Sequence, residues 1–207
     1  MANYFAPLGR KWQNIFRRDT PRYVEKAFDS AKEYVDFRNP DYRGMLLLFD
    51  ESRHFERMFA NRDLTRIEGR NMKKKREEVG DYLIMRGKRV LDSHTLEFYD
   101  MIGHHGESPD GMEGAVAIDL DGRYVDSGIF IEGVSTRGVQ VLADTGARHR
   151  AGAFASKNLV DYALVVSEET GRVTVFREGK THKGMSYTPK PKHRPAYEEK
   201  DLFSDDQ

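Results

Sequence analysis

The stretch from Gly114 to Gly133, "GAVAIDLDGRYVDSGIFIEG", decides the fold. Val116 and Ile118 lead to Asp121-Gly122, and Tyr124 and Val125 follow. Asp-Gly between two β-rich runs signals a hairpin, because the tight turn needs residues that accept positive φ. Ahead of it, "GMLLLFDES" from Gly44 is a short apolar run between turn signals and reads as a buried strand. Behind it, "GVQVLAD" (Gly138 to Asp144), "ALVVS" and "GRVTVFREG" read as further strands, the last two joined by the turn "EETG".

Helical segments alternate with these strands. At Thr20-Pro21 the hydroxyl can cap free amides, and proline lacks the N–H that would go unpaired. Val24, Ala27, Phe28, Ala31, Tyr34 and Val35 then form one apolar stripe, and Asn39-Pro40 stops it. "HFERMFANRDLTRI" (His54 to Ile67) has a helical pattern, and "RNMKKKREEVGDYLIMRGKRV" continues in a very polar mode. "SHTLEFYDMI" predicts a shorter helix capped by Ser93. "ARHRAGAFASKNLVDYA" predicts a helix entered just after its Arg-His-Arg. The interleaving predicts the α/β class: a single domain with a central mixed β-sheet flanked by helices. We divide the chain into an N-terminal helical accessory segment (1–40), the main domain (41–185) and a disordered C-terminal tail (186–207). From Tyr187 that tail, "YTPKPKHRPAYEEKDLFSDDQ", carries three prolines, many charges and little periodicity.

Composition narrows the function. Lys+Arg and Asp+Glu are 34 each, so no global basic field draws the chain to nucleic acid or anionic lipid. Any affinity for phosphate must come from a local site. The absence of cysteine excludes disulfides, thiolate metal sites and thiol nucleophiles. No apolar run approaches a membrane span, and "MANYFAPLGRKWQ" lacks the apolar core of a signal peptide, so the expectation is a cytoplasmic protein. "RNMKKKRE" (Arg70 to Glu77) is either a nucleic-acid contact or a solvated face; without interleaved aromatics, the solvated face is favoured. "GRKWQNIFRR" (Gly9 to Arg18) suits an interfacial helix, or packing against the domain or a twin subunit.

Three motifs carry chemistry. In "TGARHRAGAF" (Thr145 to Phe154), Gly146 and Ala147 let the backbone approach a ligand, while Arg148, His149 and Arg150 offer donors to phosphate oxygens. A following helix would add its free amides and dipole. A helix start whose arginines pair with acidic neighbours fits the same spacing. In "DGMEGAVAI", Glu113 sits at the mouth of a strand before Gly114-Ala115, and in "VVSEETG", Ser167, Glu168 and Glu169 end another. Carboxylates beside a phosphate grip are what a divalent metal with a phosphate substrate needs, though either is also an ordinary turn. "GHHGESPDGME" adds His104, His105, Glu107 and Asp110 as metal ligands or as a polar loop.

The order of the three motifs, with Arg-His-Arg followed seventeen residues on by Ser-Glu-Glu-Thr-Gly, resembles the diadenylate cyclase domain of the DNA-integrity-scanning protein. That family's pattern is Asp-Gly-Ala, then Gly-Thr-Arg-His-Arg, then Ser-Glu-Glu-x-Gly, and the resemblance covers roughly Tyr42 to Lys180. It implies a metal-dependent nucleotidyltransferase that joins two ATP molecules into cyclic di-AMP with release of two pyrophosphates, using Mg²⁺ or Mn²⁺. Two copies must then face each other, so a homo-dimer or higher homo-oligomer is implied. Carried over residue by residue, Gly114, Ala115 and Gly146 lie against the nucleotide and Arg148, His149 and Arg150 grip phosphate. Ser167 and Glu168 bind nucleotide, Glu113 is catalytic, and Glu113 and Glu169 are the metal candidates, with His105 of the neighbouring polar loop a further one from its residue type alone. The chain departs from the pattern at Glu113, where the family has Asp, at Ala147, where it has Thr, and in Ala151-Gly152 for Ala-Ala. The Glu113 change supports an alternative, a sensor of the same fold that binds nucleotide without turnover.

Overall fold

The computed structural model describes residues 20–39, 41, 43–85, 95–103, 112–140 and 146–190. Helix α1 (Arg22–Arg38) is followed by β1 (Met45–Asp50), α2 (Ser52–Ala60), β2 (Leu64–Arg66), α3 (Arg70–Met85) and α4 (Thr95–Ile102). Then come β3 (Ala115–Asp119), β4 (Tyr124–Ile131), α5 (Ala147–Asn158), β5 (Tyr162–Val166), β6 (Val173–Arg177) and β7 (Lys180–Tyr187). The strands form one sheet in the order β2-β4-β3-β1-β5-β6-β7. β1 runs parallel to β3, with Leu47 opposite Val116, and antiparallel to β5, with Met45 opposite Val166. The remaining neighbours are antiparallel, so the sheet is mixed, as the interleaving predicts.

β1 lies at the centre and is buried on both faces, which explains why it reads as a continuous apolar run. Its side chains alternate between two cores. Met45, Leu47 and Phe49 join Val24, Phe28, Tyr34, Tyr99, Val116 and Leu164 on the face covered by α1 and α4. Leu46 and Leu48 join Phe55, Ala115, Ala117, Ala153, Ala163 and Val165 on the face covered by α2 and α5. Helix α1, assigned from sequence to an accessory segment, thus supplies one layer over the sheet. The Asp121-Gly122 hairpin forms as expected between β3 and β4, with Gly122 at φ 79°.

Several local expectations are corrected. Thr20 does not cap α1, because its hydroxyl lies 2.7 Å from His182 Nε2 on β7 and no side chain caps the helix. The helix expected from His54 to Ile67 ends at Ala60, and Leu64–Arg66 becomes an edge strand paired with β4. Its stop is a Schellman turn: Asp63 N–H donates to Met58 C=O at 2.9 Å and Arg62 N–H to Phe59 C=O at 3.3 Å, with Arg62 at φ 62°. The polar 70–90 stretch is helical to Met85, with Lys73–Glu77 and Lys74–Glu78 pairs along its solvent face. Gly138–Gln140 are in a turn rather than a strand, tied by the Gln140 N–H to Gly179 C=O. The rest of that expected strand, Ser93, His104, His105, Glu107, Asp110, "GRKWQNIFRR" and residues 191–207 lie outside the described residues. β7, assigned from sequence in part to the tail, runs to Tyr187, whose hydroxyl donates to Asp36 on α1. Among the described residues no helix is long and apolar enough to cross a membrane.

Candidate nucleotide site

The parallel pairing of β1 with β3 and the antiparallel pairing of β1 with β5 bring three termini to one end of the sheet. These are the start of β1, the start of β3 after Glu113-Gly114, and the end of β5 before Ser167-Glu168-Glu169. The β3 and β5 motifs are separated by one strand, roughly 10 Å between backbones. α5 packs on β1, β5 and β6, and its first turn rises at this end. A cavity of about 690 Å³ lies there, lined by Leu46, Gly114, Ala115, Ile129, Ile131, Glu132, Ala147, Arg148, Arg150 and Ala151 among others.

Helix α5 begins at Ala147, so Arg-His-Arg is its first turn and does not precede it. Helical rotation then separates the triplet. Arg148 and Arg150 face the cavity with Ala147 and Ala151, while His149 falls on the inner face with Gly152, Ala153 and Ser156. The His149 ring is only 2% exposed and packs edge-on against Phe176 at 6.0 Å. Its Nε2 has no hydrogen-bond partner among the described residues. Burial, with help from the Arg172 charge, pushes its pKa down to about 4, so it is a neutral ring at physiological pH. The structure thus places His149 apart from the two arginines, on the buried face of α5.

The helix start is chemically unusual. Gly146 at the N-cap offers no side chain, and the first turn holds no acid. Two arginines thus sit where the helix dipole disfavours cations, next to amides without a side-chain cap. Glu168 offsets part of this, accepting from Arg148 Nη1 at 3.0 Å, as the pairing alternative expects. Arg150 is exposed and has no ion pair among the described residues. A Cβ at Gly146 would meet nothing within 4 Å, so its missing side chain leaves open space before the helix. Such an arrangement is chemically able to accept an anion.

The other expected residues divide. Gly114 adopts φ 85°, and a Cβ there would stand 2.6 Å from Ile129 C=O on β4, so its glycine is demanded by the neighbouring strand as well as by the cavity it lines. Register shifts between β3 and β4 at this point mark an irregular strand end of the kind common beside binding sites. Ala115 lines the cavity, whereas Glu113 is exposed beside it and not in its lining. Ser167 closes the β5–β6 turn, its Oγ accepting from Thr170 N–H at 3.3 Å. Glu169 is exposed in that turn. Sequence reading missed Glu132, a carboxylate in the lining; its "Glu-Gly" at a strand end repeats the Glu113-Gly114 signal. Among the described residues no group of three or more His, Asp or Glu is arranged to hold a metal ion.

Comparison with known proteins gives the context. A curated diadenylate cyclase of Methanocaldococcus jannaschii is 40% identical over 70 residues, 33% of this chain and 22% of that protein. A Bacillus cereus structure described as a hypothetical membrane-spanning protein aligns over 81% of this chain and 63% of its own, at 19% identity and TM-score 0.46. Staphylococcus aureus DacA, solved as a double cysteine mutant, aligns over 77% of this chain and 87% of its own, at 19% identity and TM-score 0.41. The DAC family model, described as the DisA bacterial checkpoint controller nucleotide-binding domain, matches residues 72–181. That span is just over half of the chain and contains the cavity's Gly114, Arg148 and Arg150 together with Glu168; the chain belongs to this family.

Proposed function

We propose that the chain condenses two ATP molecules into cyclic di-AMP and two pyrophosphates, with two copies facing each other and one ATP in each cavity. One observation carries the reading: Gly114-Ala115, Arg148, Arg150 and the α5 terminus without a side-chain cap converge on one cavity within a DAC-family domain. In each of two equivalent steps the ribose 3′-oxygen of one ATP bonds to the α-phosphorus of the other. The α–β bridging P–O bond breaks, pyrophosphate leaves with the electron pair, and the hydroxyl proton passes to a base. Arg148 and Arg150 neutralise phosphate charge and hold the α-phosphorus in line, so catalysis is positioning and electrostatics without a covalent intermediate. Glu113, one residue before the cavity wall, is the carboxylate assigned to take the proton.

The donors available for a cation are carboxylate oxygens, which suit Mg²⁺ or Mn²⁺. Such ions need only one or two carboxylates when phosphate oxygens complete the shell. Glu113 and Glu169 would hold the ion, with His105 as a further candidate, and it would supply charge neutralisation at the reacting phosphate. Glu132 is a further carboxylate on the cavity wall.

A second reading, a nucleotide sensor without turnover, draws on Glu113 standing outside the cavity lining and on His149 being buried. Incubation of the purified chain with ATP and Mn²⁺, followed by mass spectrometry for cyclic di-AMP, separates the two. Product is expected from the unaltered chain, falling about a hundredfold or more in Arg148→Ala/Arg150→Ala. Glu113→Asp should raise turnover and Glu113→Gln abolish it; an unchanged rate in Glu113→Gln removes the role given to Glu113. ATP binding without product selects the sensor, and neither binding nor product overturns both.

A further inference from the structure

We propose that Gly44, the residue before β1, is a positioning residue for the Arg148 guanidinium; this rests on reading Arg148 as a phosphate-binding group. A Cβ at Gly44 would stand 2.5 Å from Arg148 Nη1, 2.8 Å from its Cζ and 3.0 Å from Glu168 Cβ. The guanidinium therefore occupies the space that a side chain at position 44 would need, while Glu168 Oε2 holds Nη1 at 3.0 Å. Gly44 is buried and its φ lies outside the left-handed region, so its backbone accepts any residue. What excludes a side chain there is the arginine.

Other glycines in the fold behave differently. At Gly103 a Cβ would meet the Tyr99 carbonyl oxygen at 2.8 Å, and at Gly152 it would meet Val165 Cγ2 at 2.6 Å. Those neighbours are backbone or a branched core methyl, which cannot yield without moving an element. The obstacle at Gly44 is chiefly the far end of a long flexible side chain, and it yields by swinging aside. Restoring van der Waals separation of about 3.5 Å moves the guanidinium by about 1 Å. A displacement of that size at a charged grip can cost about a hundredfold in rate. A methyl at position 44 should thus alter ligand binding far more than stability, the reverse of what a packing glycine does.

The test is calorimetric titration with 3′-deoxy-ATP, which keeps the base and the triphosphate but lacks the attacking hydroxyl, alongside thermal melts. Four versions of the chain are compared: unaltered, Gly44→Ala, Arg148→Ala and the double variant. Gly44→Ala is expected to weaken binding at least about tenfold while Tm shifts by no more than about 2 °C. In the Arg148→Ala background the same change should alter binding less than about twofold, because the group it displaces is gone. Equal weakening in both backgrounds, or none in the first while Arg148→Ala is weakened, overturns the role of Gly44 and leaves the nucleotide site standing. No binding by the unaltered chain, or none lost in Arg148→Ala, removes the reading of the site and this inference with it. If Gly44→Ala does not fold, the double variant decides: folding regained once the arginine side chain is removed supports the contact, and a double variant that stays unfolded overturns it.

Discussion

The two faces of the sheet are packed to different thicknesses. Toward α1 and α4 the sheet presents Leu47, Phe49, Val116, Ile118 and Leu164, met by Phe28, Tyr34 and Tyr99. Toward α2 and α5 it presents Ala115, Ala117, Ala163 and Val165, and α5 answers with Gly152, Ala153 and Ala155. Leu46, Leu48, Phe55 and Phe176 also lie on the second face, but beneath α5 the Gly152 backbone comes so close that a Cβ there would stand 2.6 Å from Val165 Cγ2. The thick face holds the larger of the two buried clusters. The thin face sets the height at which Arg148 and Arg150 emerge over the strand ends. Stability and binding geometry are therefore assigned to opposite sides of the same strands, and substitutions should separate them.

The largest effect is expected on the thick face. Leu47→Ala removes a fully buried side chain beneath α1 and should cost about 2–5 kcal/mol, read as a lower midpoint in urea. Nucleotide affinity of the folded fraction should stay within about twofold; a larger loss would break the division of labour. Next comes the buried imidazole on the thin face. His149 has its folded pKa depressed from 6.5 to about 4, so the unfolded chain binds the proton more readily. The stability it contributes is complete above pH 6.5 and is lost progressively as pH falls toward 4, about 3 kcal/mol in all. Melts between pH 7.5 and 4.5 should show a shallower decline for His149→Gln than for the unaltered chain; parallel curves would place the acid sensitivity elsewhere. The smallest stability effect, and the sharpest contrast, belongs to Gly152→Ala. The added methyl meets Val165 Cγ2 at 2.6 Å and should cost about 1–3 kcal/mol. Because it lifts α5, it should also weaken nucleotide binding, which Leu47→Ala does not. Gly152 is thus more than the minor departure from Ala-Ala that its sequence suggests.

What could be read from sequence follows the same division. α1 and β1 were legible because large apolar residues repeat at 3.6 or fill a continuous run, and the β3–β4 hairpin because Asp121-Gly122 supplies the turn. The end of α2 was not, since its Schellman turn uses Arg62 where a glycine would have announced it, and Leu64 and Ile67 continue a helical spacing. β7 was hidden because its residues are mostly polar and only one of them is buried, an edge strand held by pairing with β6. Within the site, the motif order singles out Gly114, Arg148 and Glu168, which the strand ends and the first turn of α5 bring to one end of the sheet. The sequence could not say which way each member of Arg-His-Arg points, because that depends on whether α5 starts before or after it. Gly44 gave no local sign, since its constraint comes from a side chain more than a hundred residues away.

The chain order of the central strands carries a consequence for how the molecule assembles. β5, β6 and β7 are joined by tight turns and close over short loops. β1 and β3, which lie side by side in parallel, must find each other across residues 51–114. Long-range parallel pairing of this kind forms slowly, because the loop must close before any contact rewards it. The C-terminal meander and α5 can therefore present Arg148 and Glu168 early, while Gly114 arrives only with β3. The pocket lined by Leu46, Gly114 and Arg148 is therefore assembled only by pairings between strands far apart in the chain.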